Sequence, residues 1–265
     1  MKTDVLAALT HIGRSLPLSN VGDYYAAVPS EYLYLPTDIT HTHFRFFFDG
    51  RAMKIKDIVY TKEQLIHLLS KWAPTDVFYT PSKFLDPTVL AKKSNKLSQN
   101  LFLYSDEFLI DLDFPDFEEG KSAVIKLLDY LKMRKWDPSY VCFSGSKGWH
   151  VSLPFDYRSS NLDPRQRELE TKQIKSTIIE TIAADMGLPT LGKDGYGADT
   201  IVSWDTRRIV RLPGTIHGKT GNLVEIINPE DISKYQAKHL VDIEKGILLR
   251  DRGFFPASFV AFASS

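Results

Sequence analysis

Apolar positions recur along this chain with two periods, and each change of period marks a new element. Leu65, Ile66, Leu68 and Leu69 fall on one side of a helix running from Thr61 to about Trp72, with Thr61-Lys62-Glu63-Gln64 as a capping box at its start. Phe108 to Phe114 alternates instead and predicts a buried strand. The helical period returns over Glu118 to about Lys135, where Val124, Leu127, Leu128 and Leu131 form one stripe. Tyr140 to Leu153 predicts two strands broken by a Gly-rich turn. Asp163-Pro164 gives an N-cap and N1 proline to a long helix that stops at Gly187, with Ile174, Ile178, Ile182 and Met186 turned inward. Strands follow over Arg207–Leu212 and Leu223–Ile227, and a short helix over Asp4–Ile12 precedes everything. Interspersed strands and helices predict a mixed α/β (α+β) fold, with residues 1–265 as one domain.

Composition narrows this further. With 265 residues, 43% of them hydrophobic, the chain can bury a sizeable core. Lys plus Arg and Asp plus Glu both total 33, so polyanion binding must come from a local basic patch or a partner. The one cysteine, Cys142, excludes an internal disulfide and a zinc site on paired thiolates, and it reads as a buried strand residue. No zinc is expected, because His41-x-His43 reads as an exposed strand or turn. There is no apolar leader and no run of eighteen apolar residues, which predicts a soluble, intracellular, cytoplasmic protein with no membrane contact.

Chemistry gathers at four places. Alternation puts Asp111 and Asp113 on one strand face, about 7 Å apart. Two carboxylates in an apolar segment repel each other and resist burial, and a divalent cation between them removes both problems. Asp-x-Asp alone also fits glycosyltransferases and nucleases, or two solvated acids. Ser144-Gly145-Ser146-Lys147-Gly148-Trp149-His150 is a turn whose glycines allow an anion nest, with Ser144, Lys147 and His150 as added donors. Asp205 offers a third carboxylate, ahead of Arg208 and Arg211. Last comes Val210 to Gly221, VRLPGTIHGKTG, whose end mimics a P-loop. The P-loop reading fails: its first glycine position is Pro213, and an apolar β-branched run follows instead of a helix. In an extended chain Thr215, His217 and Lys219 share a face and can donate to phosphate oxygens.

Taken together, these residues resemble the archaeo-eukaryotic primase superfamily, and its small catalytic subunit in particular. Asp111-Leu112-Asp113 matches the family's metal-binding Asp-x-Asp, and residues 144–150 its Ser-Gly-x-Arg-Gly-aromatic-His turn. Asp205 stands at the place of its third aspartate, and Arg211 to Gly221 is similar to its Arg-Leu-Pro-Gly-Ser-Leu-His-Gly-Lys-Thr-Gly almost residue for residue. Weaker echoes are Tyr24-Tyr25, Pro29-Ser30-Glu31-Tyr32 and Tyr79-Thr80-Pro81-Ser82.

The resemblance implies an RRM-like sheet packed beside a second sheet with flanking helices, and an active site in the cleft between them. It implies a DNA primase or primase-polymerase, a nucleotidyltransferase joining NTPs or dNTPs on a single-stranded DNA template. Asp111, Asp113 and Asp205 would be catalytic and hold two Mg²⁺ or Mn²⁺ ions. Ser144, Lys147, His150, Arg211, His217 and Lys219 would bind the nucleotide. A primase large subunit or another replication protein is the implied partner, with Lys92, Lys93 and Lys96 as candidate template contacts and the Phe-rich segment 251–262 as a candidate docking segment. Two departures stand out: no zinc knuckle lies between Phe114 and Phe143, and the turn's arginine is Lys147, which keeps the charge without the bidentate fork. The short chain also fits a compact relative from a virus, plasmid or mobile element. A metal-dependent nuclease and a non-catalytic nucleic-acid-binding relative are the rival readings.

Overall fold

Alternating strand residues leave an apolar face on each sheet, and the chain buries these faces by packing two antiparallel sheets with helices around them. The computed structural model describes residues 21–27, 33–48, 51–53, 55, 58–91, 101–190 and 196–240. The expected helix at Asp4–Ile12, the Pro29–Tyr32 echo, the lysines at 92, 93 and 96, and the 251–262 segment lie outside these residues.

The first sheet contains β1 (Thr42–Phe48), β2 (Arg51–Met53), β3 (Asp76–Phe84) and β4 (Phe102–Ser105), in the order β2-β1-β3-β4. The second holds β5 (Glu107–Asp113), β6 (Tyr140–Phe143), β7 (Trp149–Pro154) and β8 (Gly197–Ala198). The chain then returns to the first sheet as β9 (Val210–Arg211), paired with β3, and ends in the second as β10 (Glu225–Ile227). The second sheet's order is β10-β6-β7-β5-β8. The helices are α1 (Val21–Ala27), α2 (Lys62–Trp72), α3 (Phe117–Met133), α4 (Pro164–Met186) and α5 (Thr200–Trp204). The path β5-α3-β6-β7-α4-β8, with β7 and β5 central, is the RRM-like arrangement expected of this sheet.

Local signals explain most of the boundaries. Thr61 caps α2 by accepting from the Gln64 N–H at 3.2 Å, while the Gln64 side chain reaches back one residue further than a capping box requires, to the Tyr60 N–H. Asp163 and Gly187 (φ +59°) cap α4 as expected.

Three expectations are corrected. The most buried line of α4 is Glu168, Thr171, Lys175, Ile179 and Ile182, whereas Ile174, Ile178 and Met186 are only partly buried. The helix packs on polar partners here, which a count of apolar residues does not register. The strand expected over Arg207–Leu212 shrinks to Val210–Arg211, because 205–208 turns sharply with the Arg208 N–H donating to the Asp205 carbonyl at 3.0 Å. The strand expected over Leu223–Ile227 likewise shortens to β10, with Leu223 left in an isolated bridge to Ile216.

β5 sets the polarity of the whole arrangement. Its even residues Phe108, Ile110 and Leu112 join the core under α3, while Leu109 packs in the cluster that includes the first sheet. Glu107, Asp111 and Asp113 share the parity of Leu109 and so face between the sheets. At the closed end, buried Glu107 accepts from Tyr34 (2.6 Å), Tyr79 (2.8 Å) and Ser152 (3.2 Å), and burial raises its pKa. Lys175 Nζ donates to the Glu107 carbonyl at 2.7 Å, and burial pushes the Lys175 ammonium down to about 7. Tyr79 belongs to β3, so this network ties one sheet to the other. Cys142 is fully buried on β6. Among the described residues no helix is long and apolar enough to cross a membrane.

Candidate active site

The β5–β7 register places Asp111 directly opposite His150 and Leu112 opposite Trp149. Opposed residues share a face, and His150 Nε2 lies 3.5 Å from Asp111 Oδ1. Burial, then the charges of Asp199 and Asp113, push the Asp111 carboxyl up to about 7. Burial and the nearby Arg211 charge push His150 down to about 3, so its ring is neutral at physiological pH. His150 Nδ1 is buried with no hydrogen-bond partner. A partly buried acid with a half-exposed second acid on the same strand face, beside an unpaired ring nitrogen, fits a divalent cation at Asp111 and Asp113.

The Gly-rich turn is closed by the Ser144 N–H donating to the Gly148 carbonyl at 2.9 Å. Gly145 has φ +94°, a conformation that disfavours any side chain. A Cβ there would also lie 2.4 Å from the Cβ of His217. The Gly145 carbonyl accepts from the Thr220 hydroxyl (2.6 Å) and the Asn222 amide (3.0 Å), locking the turn to the His217 loop. At the other end of the turn Lys147 Nζ approaches Asp113 Oδ1 at 3.4 Å. Gly120 on α3 lets the Lys147 carbonyl sit where a Cβ would come within 2.9 Å.

The loop from Arg211 to Gly221 corrects the extended-face expectation. Residues 218–220 form a turn, and Thr215 is fully buried, donating to the Leu212 carbonyl at 2.6 Å. Only His217 and Lys219 of the three remain candidates, with Lys219 exposed at the tip. The Thr220 N–H donates to His217 Nδ1 at 3.2 Å, which leaves Nε2 as the ring's donor. Burial, then Arg211, lower the His217 pKa, so this ring also offers a neutral N–H. Tyr24 donates to the Gly214 carbonyl at 2.8 Å and Tyr25 accepts from the Ile216 N–H at 3.4 Å, which gives the Tyr-Tyr echo a bracing role.

Arg211 sits at the centre of these groups. Its guanidinium pairs with Asp76, lies 4.7 Å over the Phe78 ring, and shifts Asp111, His150 and His217 by its charge. Asp76 also accepts from the Gly218 N–H at 3.0 Å.

Asp205 is held separately. Its carboxylate is 3.2 Å from Lys172 Nζ and 3.6 Å from Arg208 Nε. Lys172 is also 3.3 Å from buried Glu168, which accepts from Arg207 Nε and Nη2 (2.9 and 2.8 Å) and from the Thr206 hydroxyl (2.7 Å). Among the described residues no three Asp, Glu, His or Cys side chains converge as a metal-binding cluster. The structure therefore brings Asp111, Asp113, Ser144, Lys147, His150, Arg211 and His217 around one region, and ties Asp205 to α4. His43 is buried rather than exposed, with its pKa pushed down to about 4 by burial; His41 pairs with Asp38 at 2.8 Å.

Sequence reasoning missed Asp76, Asp199, Glu168 and Lys172. Asp199 had a readable signal, an acid just before Thr200-Ile201-Val202, and it caps α5 while its N–H donates to the Asp111 carbonyl at 2.9 Å. Glu168 and Lys172 form an i,i+4 pair on α4, but their partners Arg207 and Asp205, like Arg211 for Asp76, lie far along the chain.

No family model matches the chain. It is 34% identical over 88 residues to the DNA primase small subunit PriS of Sulfurisphaera tokodaii, covering 32% of this chain and 28% of that protein. It is 23% identical over 233 residues to PriS of Pyrobaculum calidifontis, covering 74% and 72%. The first of these matches thus spans less than a third of its relative's length. In fold, the polymerase domain from Mycobacterium tuberculosis ligase D, solved in complex with DNA, superposes with a TM-score of 0.59 at 12% identity, over 93% of both chains. The fold shared with that domain is mixed α/β, with two antiparallel sheets and flanking helices. In sequence the chain resembles the archaeo-eukaryotic primases, and the relatives it matches are archaeal small subunits.

Proposed function

We propose that this chain is a primase or primase-polymerase that joins nucleoside triphosphates on a single-stranded DNA template. The observation that carries this reading is the docking of the Gly145 turn onto His217, beside the Asp111–His150 cross-strand pair. A nuclease has use for the carboxylates but none for the donors gathered on this side.

In this reading Asp111, Asp113 and Asp205 hold divalent cations, Mg²⁺ or Mn²⁺. Bound there, such ions lower the pKa of a primer 3′-hydroxyl and neutralise charge on the transferring phosphoryl group. The 3′-oxygen attacks the α-phosphorus, its proton leaves to solvent, and the bond to pyrophosphate breaks. Ser144, the neutral N–H donors of His150 and His217, and the cations Lys147, Arg211 and Lys219 bind and orient the triphosphate and stabilise the departing pyrophosphate. Lys172 must give up Asp205 if that carboxylate is to join the pair, and Glu168 is the counter-charge left to it. Residues 1–265 act as one catalytic domain inside the cell, and a large subunit or other replication protein assists initiation.

The test is extension of a 5′-labelled primer on a longer template with Mn²⁺ and one nucleotide at a time. Growth by the nucleotide complementary to the template supports the reading. Shortening of the primer, or addition that ignores the template base, contradicts it.

A further inference from the structure

Arg211, Phe78 and Arg45 form a row across three adjacent strands. Phe78 on β3 is the direct partner of Arg211 on β9 and of Arg45 on β1. Directly opposed residues share a face, and neighbouring strands are about 4.8 Å apart, so the row leads roughly 10 Å from the catalytic region across the first sheet. The next position on that face of β1 is Phe47. Its ring lies 5.1 Å from that of Phe78 in an edge-on arrangement, with the Arg45 guanidinium 5.3 Å over it. Phe47 and Phe78 are only partly buried, and Arg45 is exposed.

We propose that this face is a binding site for single-stranded nucleic acid, with a base stacking on Phe47, whose ring packs edge-on against Phe78, and phosphates pairing with Arg45. A β-sheet face offering aromatic rings flanked by guanidinium groups supplies both things an unpaired strand needs, a π-surface for any base and a positive charge for the backbone. Because the chain's net charge is zero, its affinity for a polyanion has to reside in such a local patch. Arg45, being exposed, can leave the Phe47 ring for a phosphate when a base takes its place. The opposite end of the row is Arg211, whose charge already acts on Asp111, His150 and His217, so a strand on this face runs into the candidate active site. Duplex is disfavoured, because its bases are stacked on each other and present no free face to the rings. As the template site, this assignment rests on the nucleotidyl-transfer reading; as a single-strand site, it stands without it.

The experiment is fluorescence anisotropy of the full chain with a labelled oligo-dT, a matching abasic oligonucleotide and a duplex of equal length, without nucleotides or divalent metal. Phe47→Leu is expected to weaken oligo-dT binding roughly tenfold and to leave binding of the abasic strand nearly unchanged. Arg45→Gln is expected to weaken both strands and to lower the slope of log affinity against log salt by about 0.7. Circular dichroism checks that both variants are folded. Folded variants that bind oligo-dT like the wild type, or a duplex that binds as tightly as the single strand, overturn the proposal. A wild-type chain that binds oligo-dT as expected but incorporates no nucleotide, or undiminished incorporation by Asp111→Asn, would count against the catalytic reading and leave this site standing.

Discussion

Gly145 and His217 approach so closely that a Cβ on the glycine would lie 2.4 Å from that of the histidine. They are far apart in sequence and belong to the two motifs with the most phosphate donors. Their contact makes one surface of two loops, with the Gly145 carbonyl held by Thr220 and Asn222.

Gly145→Ala is therefore expected to separate the loops. The substitution meets both a left-handed backbone (φ +94°) and the His217 side chain. We expect a loss of stability of about 2 kcal/mol and a loss of triphosphate affinity of at least tenfold, read by calorimetry with Ca²⁺. Unchanged affinity in a folded Gly145→Ala protein would mean that the two loops do not act together.

The Asp111 carboxyl gives a pH dependence with a definite sign. Its folded-state pKa is raised to about 7 from a usual 3.8, so its contribution to stability is full below pH 4 and is lost as pH rises through 7. At pH 8 the ionised, crowded carboxylate costs the metal-free protein on the order of 2–4 kcal/mol. Asp111→Asn should then melt several degrees above the wild type at pH 8, with the gap closing toward pH 4. Mn²⁺ should raise the Tm of the wild type at pH 8 and that of the variant much less. Equal melting temperatures at pH 8 without metal would remove the basis for a cation at this pair.

Glu168 is the anchor of the Asp205 segment. Removing one partner of a buried ion pair strands the other: Arg207 and Thr206 would lose this acceptor, and Lys172 would keep only Asp205. Glu168→Ala is expected to cost about 3 kcal/mol and to reduce incorporation in proportion to the misplacement of Asp205. Glu168→Gln keeps one carbonyl oxygen for Arg207 and should lose less of both. Chemical denaturation and single-nucleotide incorporation, measured on the same preparations, check the two effects.

The chain's periodicity carries much of this structure. Local signals such as Thr61, Asp163-Pro164 and Gly187 fix helix ends because capping is a short-range effect, and alternation in β5 separates Asp111 and Asp113 from Ile110 and Leu112 for the same reason. What escaped is non-local. The polar face of α4 looks misplaced for a helix until Glu168 meets Arg207 and Lys175 meets the Glu107 carbonyl. An extended chain puts Thr215, His217 and Lys219 on one face, but the bend at 215 buries the Thr215 hydroxyl on the Leu212 carbonyl and the turn at 218–220 breaks the alternation to Lys219. Asp76 reaches Arg211 and Gly218 from β3, a contact between segments more than a hundred residues apart.

The proposed function requires one site that binds a triphosphate with the loops and cleaves it at the carboxylate pair. The most direct measurement is pyrophosphate release alongside nucleotide addition on a primed single-stranded template, for the wild type and Asp111→Asn. The expected result is one pyrophosphate per nucleotide added by the wild type, and triphosphate binding without release by the variant. Undiminished release by Asp111→Asn, or release by the wild type with no nucleotide added to a 3′-end, would contradict it.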